Sequence, residues 1–161
     1  ITGGWHGIGA AIGLGLAAEG ASIAFLSRSQ ERLNEQDKLL KEMNVPTLSL
    51  QCDVLDPLAI GHSWDILKDR WGGIDILINN AGNAHGLSTI QDGSIDDWDA
   101  MIDINVKGLL YVSKAILPQM VERNEGFIVN IGSIAGKEVY PNGNVYCASK
   151  HAVNALNKAN K

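Results

Sequence analysis

The sequence predicts an α/β fold built on a parallel sheet with helices on both faces. Three observations carry that reading. Short runs rich in Ile, Val and Leu alternate with helix-length amphipathic stretches along the whole chain. The apolar runs lack strict two-residue alternation, as strands covered on both faces should. A glycine-rich turn, TGGWHGIG at Thr2 to Gly9, leads directly into the first helical stretch.

Each element follows from its residues. Ile1-Thr2 read as the end of a first strand, and Gly7 to Gly20 as the helix after the turn. Ala21 to Ser27 (ASIAFLS) is the next strand. Gln30 to Met43 is a charged helix that stops before Pro46, since a proline biases the residue ahead of it away from helix. Pro46 to Cys52 (PTLSLQC) is a strand. Leu58 to Trp71 is a helix with Ile60, Trp64, Leu67 and Trp71 on one face. Ile74 to Asn79 (IDILIN) is a strand. Asp96 to Arg123 is one long helix carrying Val106, Leu109, Leu110, Ile116 and Leu117. Asp96, Asp97 and Asp99 are expected to cap it, because acids suit the positive end of a helix. Phe127 to Gly132 (FIVNIG) is a strand and Asn144 to Lys161 the last helix. No linker or low-complexity stretch interrupts the pattern. Residues 1–161 therefore read as a single domain, expected to be incomplete at both ends, with its C-terminal part missing.

Composition excludes several classes of function. Of 161 residues, 45% are apolar and 19% charged, which suits a packed core and not a disordered chain. Thirteen basic against eighteen acidic residues give a net charge of −5, with no basic block, so no nucleic-acid or membrane partner is expected. The apolar runs are too short to span a bilayer and no signal peptide opens the chain, so the expected location is cytoplasmic. Cys52 and Cys147 form no CxxC pair and read as reduced thiols. His62, His85 and His151 have no metal-ligand spacing, and no metal is expected. His85, in the loop after Gly82, either touches substrate or is an ordinary loop residue. Trp64, Trp71 and Trp98 read as packing residues.

The glycine turn has a physical use. A strand-to-helix turn presents free backbone N–H groups at the positive end of a helix dipole, which suits a phosphate. Gly3, Gly7 and Gly9 follow GxxxGxG spacing, not the commoner GxGxxG, and alone this is a weak signal. An NAD site usually has an acid at the end of the second strand. Here that position reads Leu26-Ser27-Arg28-Ser29, with no carboxylate. Arg28 suits the 2′-phosphate of NADP and makes NAD the less favoured cofactor, unless it is only a solvated helix-start residue. His6 either assists Arg28 or is an exposed turn residue. Asp53 either accepts from the adenine amino group or is an ordinary turn residue.

Tyr146 and Lys150, in YCASK, stand at i and i+4 and so share one helix face. A tyrosine hydroxyl ordinarily titrates near ~10, too high for a base at neutral pH, and a nearby ammonium favours its ionised form. A lone YxxxK is more often a solvated pair than a site. Other segments change the reading. Asn79-Asn80-Ala81-Gly82 closes the strand Ile74 to Asn79, Ser133 follows the strand Phe127 to Gly132, and Asn105 sits mid-helix in DINVKG. Asparagine is a poor helix former and there suggests a local distortion able to hold a water.

TGGWHGIG, NNAG, Asn105, Ser133 and YCASK, in this order, resemble the short-chain dehydrogenase/reductase family over essentially the whole chain. The resemblance implies a Rossmann-type doubly wound sheet and hydride transfer between a nicotinamide and a carbinol or carbonyl carbon. It implies Tyr146 as general acid/base, Lys150 as its cationic neighbour and ribose ligand, Ser133 as partner of the substrate oxygen, and Asn105 as holder of a water that links Lys150 to solvent. The turn with Gly3, His6, Gly7, Ile8 and Gly9 would carry the cofactor pyrophosphate. Arg28, Asp53, Val54, Asn80, Ala81 and Gly82 would surround the adenosine half.

The stretch from NNAGNAHGLS to YCASK further resembles the branch of NADP-dependent 3-hydroxy acid dehydrogenases acting on serine and allo-threonine. Carbonyl and 3-oxoacyl-type reductases of the family, and a nucleotide-binding relative without turnover, are the competing readings. Apolar surface on the long helix and on the YCASK helix, with the family's habit of pairing such helices, leads to the expectation of a homotetramer.

Overall fold

A computed structural model describes residues 1–159. Its elements, in chain order, are α1 (Gly7–Ala18), β1 (Ile23–Ser27), α2 (Gln30–Glu42), β2 (Thr47–Gln51), α3 (Pro57–Trp71), β3 (Ile76–Asn79), α4 (Ile95–Ile102), α5 (Leu109–Arg123), β4 (Phe127–Asn130) and α6 (Asn144–Ala159). The expected end of the last helix at Lys161 lies outside the described residues.

Two parallel pairs make up the sheet. β1 pairs with β2 from Ile23 opposite Thr47 to Ser27 opposite Gln51. β3 pairs with β4 from Ile76 opposite Phe127 to Asn79 opposite Asn130. The extended Ile1-Thr2 stub joins the pairs: Leu26 N–H donates to the Ile1 carbonyl at 3.0 Å, and Thr2 N–H donates to the Ile78 carbonyl at 3.0 Å. The resulting order is β2, β1, stub, β3, β4. The chain thus leaves the centre in one direction and returns to build the other half. This is the doubly wound, Rossmann-type arrangement that the sequence predicts, and it opens a crevice at the C-terminal ends of the strands beside the stub.

β1 is covered on both faces, and it displays the two-residue period that does it. Ile23 and Phe25 pack with Leu33 and Leu40 of α2 and Ala17 of α1. Leu26, from the opposite face, packs with Leu50, Leu77, Ile60, Trp64 and Leu67 of α3 and Val112 and Ile116 of α5. Trp64 and Trp71 are packing residues, as expected. Phe25 is fully buried, and a side chain at Gly13 would strike its ring, so a glycine lets α1 lie close to the sheet.

Three expectations need correction. β4 is not a buried strand: Phe127 and Val129, which share one face by the two-residue period, are 71% and 42% exposed because that face of β4 is left open among the described residues, while Ile128 on the other face packs on the core. The long helix is unbroken from Ile95 to Arg123 but is not α-helical throughout, since α4 and α5 are joined by a π-helical segment at Asp103–Gly108, the local distortion expected at Asn105. Its N-cap is Ser94, whose hydroxyl accepts from Asp97 N–H; Asp96 and Asp97 follow in the first turn and Asp99 lies beyond it.

Candidate functional site

The crevice beside the stub holds a cavity of about 460 Å³. The glycine turn forms one wall, through Gly3, His6, Gly7 and Ile8. Arg28, at the end of β1, and Asp53 and Val54, after β2, form the rim. Asn80, Ala81 and Gly82, after β3, form the floor. Tyr146 and Lys150 approach from α6. Residues separated by most of the chain thus meet at one cavity. Gly9 is buried behind the turn instead of lining it: a Cβ there would lie 2.5 Å from Asn80 Nδ2 and 2.7 Å from the Gly3 carbonyl.

Hydrogen bonds fix the turn. Asn80 Nδ2 donates to the Thr2 and Gly3 carbonyls, each at 3.0 Å. Thr2 Oγ1 accepts from Asn80 N–H at 3.1 Å and Ala81 N–H at 3.0 Å. The turn and the NNAG segment are therefore one braced unit. Among the described residues the first N–H groups of α1 remain unspent, since the N-cap residue His6 places no side chain on them. Asn83 Oδ1 is buried at the cavity wall with no partner among the described residues. Open N–H groups beside an exposed Arg28, with no ion pair to Arg28 among the described residues, fit an anionic nucleotide. Asp53 also shapes its own loop, where its Oδ1 accepts from Leu55 N–H at 2.9 Å.

The reacting end is built around Lys150 and Asn105. Lys150 is 9% exposed, and its Nζ donates to the Ile131 carbonyl at 3.1 Å. Burial holds its pKa below the ordinary 10.5. Its Nζ lies 6.0 Å from the Tyr146 ring centroid. Among the described residues Tyr146 Oη has no hydrogen-bond partner, so its hydroxyl is free for a ligand. Asn105, 2% exposed, lies behind the cavity wall and not in it. Its Oδ1 accepts from Asn83 N–H at 2.8 Å. Its Nδ2 donates to the Asn83 carbonyl at 2.9 Å and to Ser149 Oγ at 3.0 Å. Ser133 opens on an adjoining cleft that Gly132 and Lys150 also line. Its Oγ accepts from Ala135 N–H at 3.1 Å, which leaves its proton available to donate.

Residues that the sequence reading passed over complete the site. Thr2, Asn83 and Ser149 brace it, and Trp5 lines the cavity. Only Trp5 carried a sequence signal, as a bulky aromatic inside a glycine turn. His85 lies at a small hollow shared with Tyr146, with Nδ1 4.0 Å from Asp97 Oδ1. His151 is an exposed helix residue whose Nδ1 lies 2.9 Å from the Cys147 carbonyl. Both cysteines are buried free thiols. Among the described residues no cluster could hold a metal ion, and no helix is long and apolar enough to cross a membrane.

The short-chain dehydrogenase family model matches residues 1–161. The chain belongs to that family. It is 43% identical over 150 residues to the NADP-dependent 3-hydroxy acid dehydrogenase YdfG of Salmonella typhi, covering 93% of this chain and 59% of that one. Serine dehydrogenase from Escherichia coli superposes with a TM-score of 0.93 at 41% identity, covering 98% of this chain and 72% of that one. An NAD+-bound xylitol dehydrogenase superposes with a TM-score of 0.95 at 38% identity, covering 98% and 61%. The chain thus spans 59% of the length of the curated relative it matches.

Proposed function

We propose that this chain is the nucleotide-binding domain of an NADP-dependent oxidoreductase acting on a small 3-hydroxy acid such as serine or allo-threonine. The observation that carries the proposal is the meeting of Tyr146 and Lys150 with the glycine turn and Arg28 at one cavity. The names of the relatives support both cofactor and substrate class. The NAD+-bound neighbour makes the cofactor a question for the residues, and an arginine at the β1 end with no acid at Ser27 or Ser29 favours NADP.

The N–H groups of the glycine turn would hold the pyrophosphate, and Arg28 and His6 the 2′-phosphate. Asp53, Val54, Asn80, Ala81 and Gly82, which line the same cavity, would hold the adenosine half. The nicotinamide, when bound, supplies the hydride acceptor or donor. Ser133 donates its proton to the substrate oxygen and holds it beside Tyr146. Tyr146 takes the proton of a substrate hydroxyl, or returns one to a carbonyl. The Lys150 ammonium, on the same helix as Tyr146 with Nζ 6.0 Å from its ring centroid, would bind the nearer ribose. Asn105 would order a water that links Lys150 to solvent; a side chain at Gly82 would lie 3.0 Å from Asn105 Oδ1 and 3.7 Å from Lys150 Nζ, so a glycine keeps the space between them open. Oxidation at the β-carbon gives a 3-oxo acid, which for an amino acid then loses carbon dioxide.

The deciding experiment follows NADPH formation with serine, allo-threonine and 3-hydroxypropionate. Turnover of at least one of them supports the reading. A protein inert with all three but active on unrelated ketones belongs with the carbonyl or 3-oxoacyl-type reductases. A protein that binds NADP without turning over either class is a non-catalytic relative. The reading further takes the enzyme to be a cytoplasmic homotetramer, supported by the reduced thiols and by exposed Leu110, Tyr111, Leu117 and Val121 on α5.

A further inference from the structure

The glycine turn carries an unusual stack. The Trp5 indole lies 3.5 Å from the His6 imidazole, centroid to centroid, with 13° between the ring planes. Over the same indole stands the Arg32 guanidinium, 3.8 Å from the ring centroid. Arg32 comes from the first turn of α2, where its N–H bonds to Ser29 Oγ. Trp5, His6 and Arg28 all line the cavity. Trp5 therefore connects the cavity rim to a second guanidinium, which does not itself line the cavity.

The chemistry of that guanidinium is unspent. Stacking uses the face of a guanidinium and leaves its N–H donors, which lie in the plane, free to bind. Among the described residues the Arg32 side chain makes no hydrogen bond, and no carboxylate lies within ion-pairing distance, although Glu31 is its neighbour in sequence. An aromatic platform also limits the rotamers of a long side chain, so less freedom is lost when an anion binds. A guanidinium braced on an indole that lines the cavity, without a side-chain partner among the described residues, is poised for a ligand phosphate.

We infer that Arg32, aimed by its stack on Trp5, is a second guanidinium for the 2′-phosphate of the adenosine ribose, acting beside Arg28. This rests on the NADP reading above and deepens it. The phosphate dianion has enough oxygens for two arginines, and bidentate contacts from both would separate NADP from NAD more sharply than Arg28 alone. Trp5 is a positioning residue in this arrangement, and Arg32 is a specificity-determining one.

Calorimetric titration of the protein with NADP, NAD, adenosine 2′,5′-bisphosphate and 5′-AMP tests the inference without requiring turnover. Arg32→Met keeps the aliphatic stem and removes the charge. It should weaken NADP and the bisphosphate about tenfold and leave NAD and 5′-AMP within about twofold. Trp5→Ala should weaken the same two ligands, and Trp5→Phe, which keeps a platform, should recover most of the loss. Equal weakening of NADP and NAD by Arg32→Met would make Arg32 a brace of the turn and overturn the inference. So would an Arg32→Met variant that prefers NADP as strongly as the parent. A parent protein with no preference for NADP rejects the cofactor reading itself, and the role of Arg32 with it.

Discussion

Asn105 and Ser149 are joined by a buried hydrogen bond of 3.0 Å between a π-helical turn and the helix that carries Tyr146 and Lys150. Ser149 Oγ in turn donates to the Tyr146 carbonyl at 2.8 Å. Asn105 spends the rest of its amide on Asn83. One asparagine thus locks the segment after β3 to α6. The π turn has a structural reason, since it sets this side chain toward α6.

Ser149→Ala should therefore loosen that lock without touching the glycine turn. Ser149 is fully buried, and the change leaves an Asn105 N–H without its partner. The expected cost is on the order of 1–2 kcal/mol of stability. Turnover should fall while the dissociation constant of NADP stays unchanged. Thermal melts with titration of NADP check both, and an equal loss of cofactor affinity would contradict the separation of the two ends.

Arg28→Asp should reverse or erase the preference for NADP. An acid at the end of β1 repels a 2′-phosphate and accepts from a ribose 2′-hydroxyl. Arg28 is exposed and its carbonyl still accepts from Gln51 Nε2, so the fold should tolerate the change. Paired titrations with NADP and NAD give the answer. An unchanged ratio would assign Arg28 to solvent.

Apolar side chains on α5 lead to the prediction about assembly. Val121 is 69% exposed, and Leu110, Tyr111 and Leu117 are each more than a third exposed. Covering them against a second copy through twofold interfaces would remove them from water. Light scattering at micromolar concentration should report a tetramer, and Val121→Glu with Leu117→Glu should shift it toward smaller species. A monomeric parent would leave this face without a role in assembly.

The fold was legible where local chemistry decides it. Glycines with a following helix marked the turn, Pro46 marked the end of α2, and aliphatic runs marked the strands. Asn105 was legible as a misfit in its helix, although the sequence did not show where its amide would point. What stayed hidden depends on neighbours distant in the chain. Ser149 reads as an ordinary helical serine until Asn105 is set against it. Arg32 reads as a solvated charge until Trp5 is beneath it. Phe127 and Val129 read as core residues, because strand composition does not reveal whether a given face is covered.

Lys150 gives a pH dependence with a definite sign. Burial lowers its pKa from the ordinary 10.5, so between the lowered value and 10.5 the unfolded chain binds more protons than the folded one. Stability therefore rises with pH through that window, and below it the folded protein bears the full cost of a charged, desolvated lysine. Lys150→Met should flatten the rise and should not destabilise the protein at neutral pH, while turnover collapses for want of the cation. Melting temperatures of parent and variant between neutral and alkaline pH test this. A parent curve no steeper than the variant's would show that burial of Lys150 has no such effect.

Tyr146→Phe tests the chemistry most directly. The ring remains half-buried in place, and among the described residues the hydroxyl has no partner within the chain, so its removal orphans nothing. Stability and NADP affinity should stay near those of the parent. Loss of general acid/base work costs on the order of 10²–10⁴ in rate, and loss of an oriented contact to the reacting oxygen deepens it. Ser133→Ala should be damaging but milder, because it removes a donor to that oxygen and leaves the proton acceptor. The comparison requires kcat with a substrate the parent turns over and cofactor binding measured on the same samples. A Tyr146→Phe variant that binds NADP normally and turns over as fast as the parent would remove the phenol from the mechanism and leave the fold untouched.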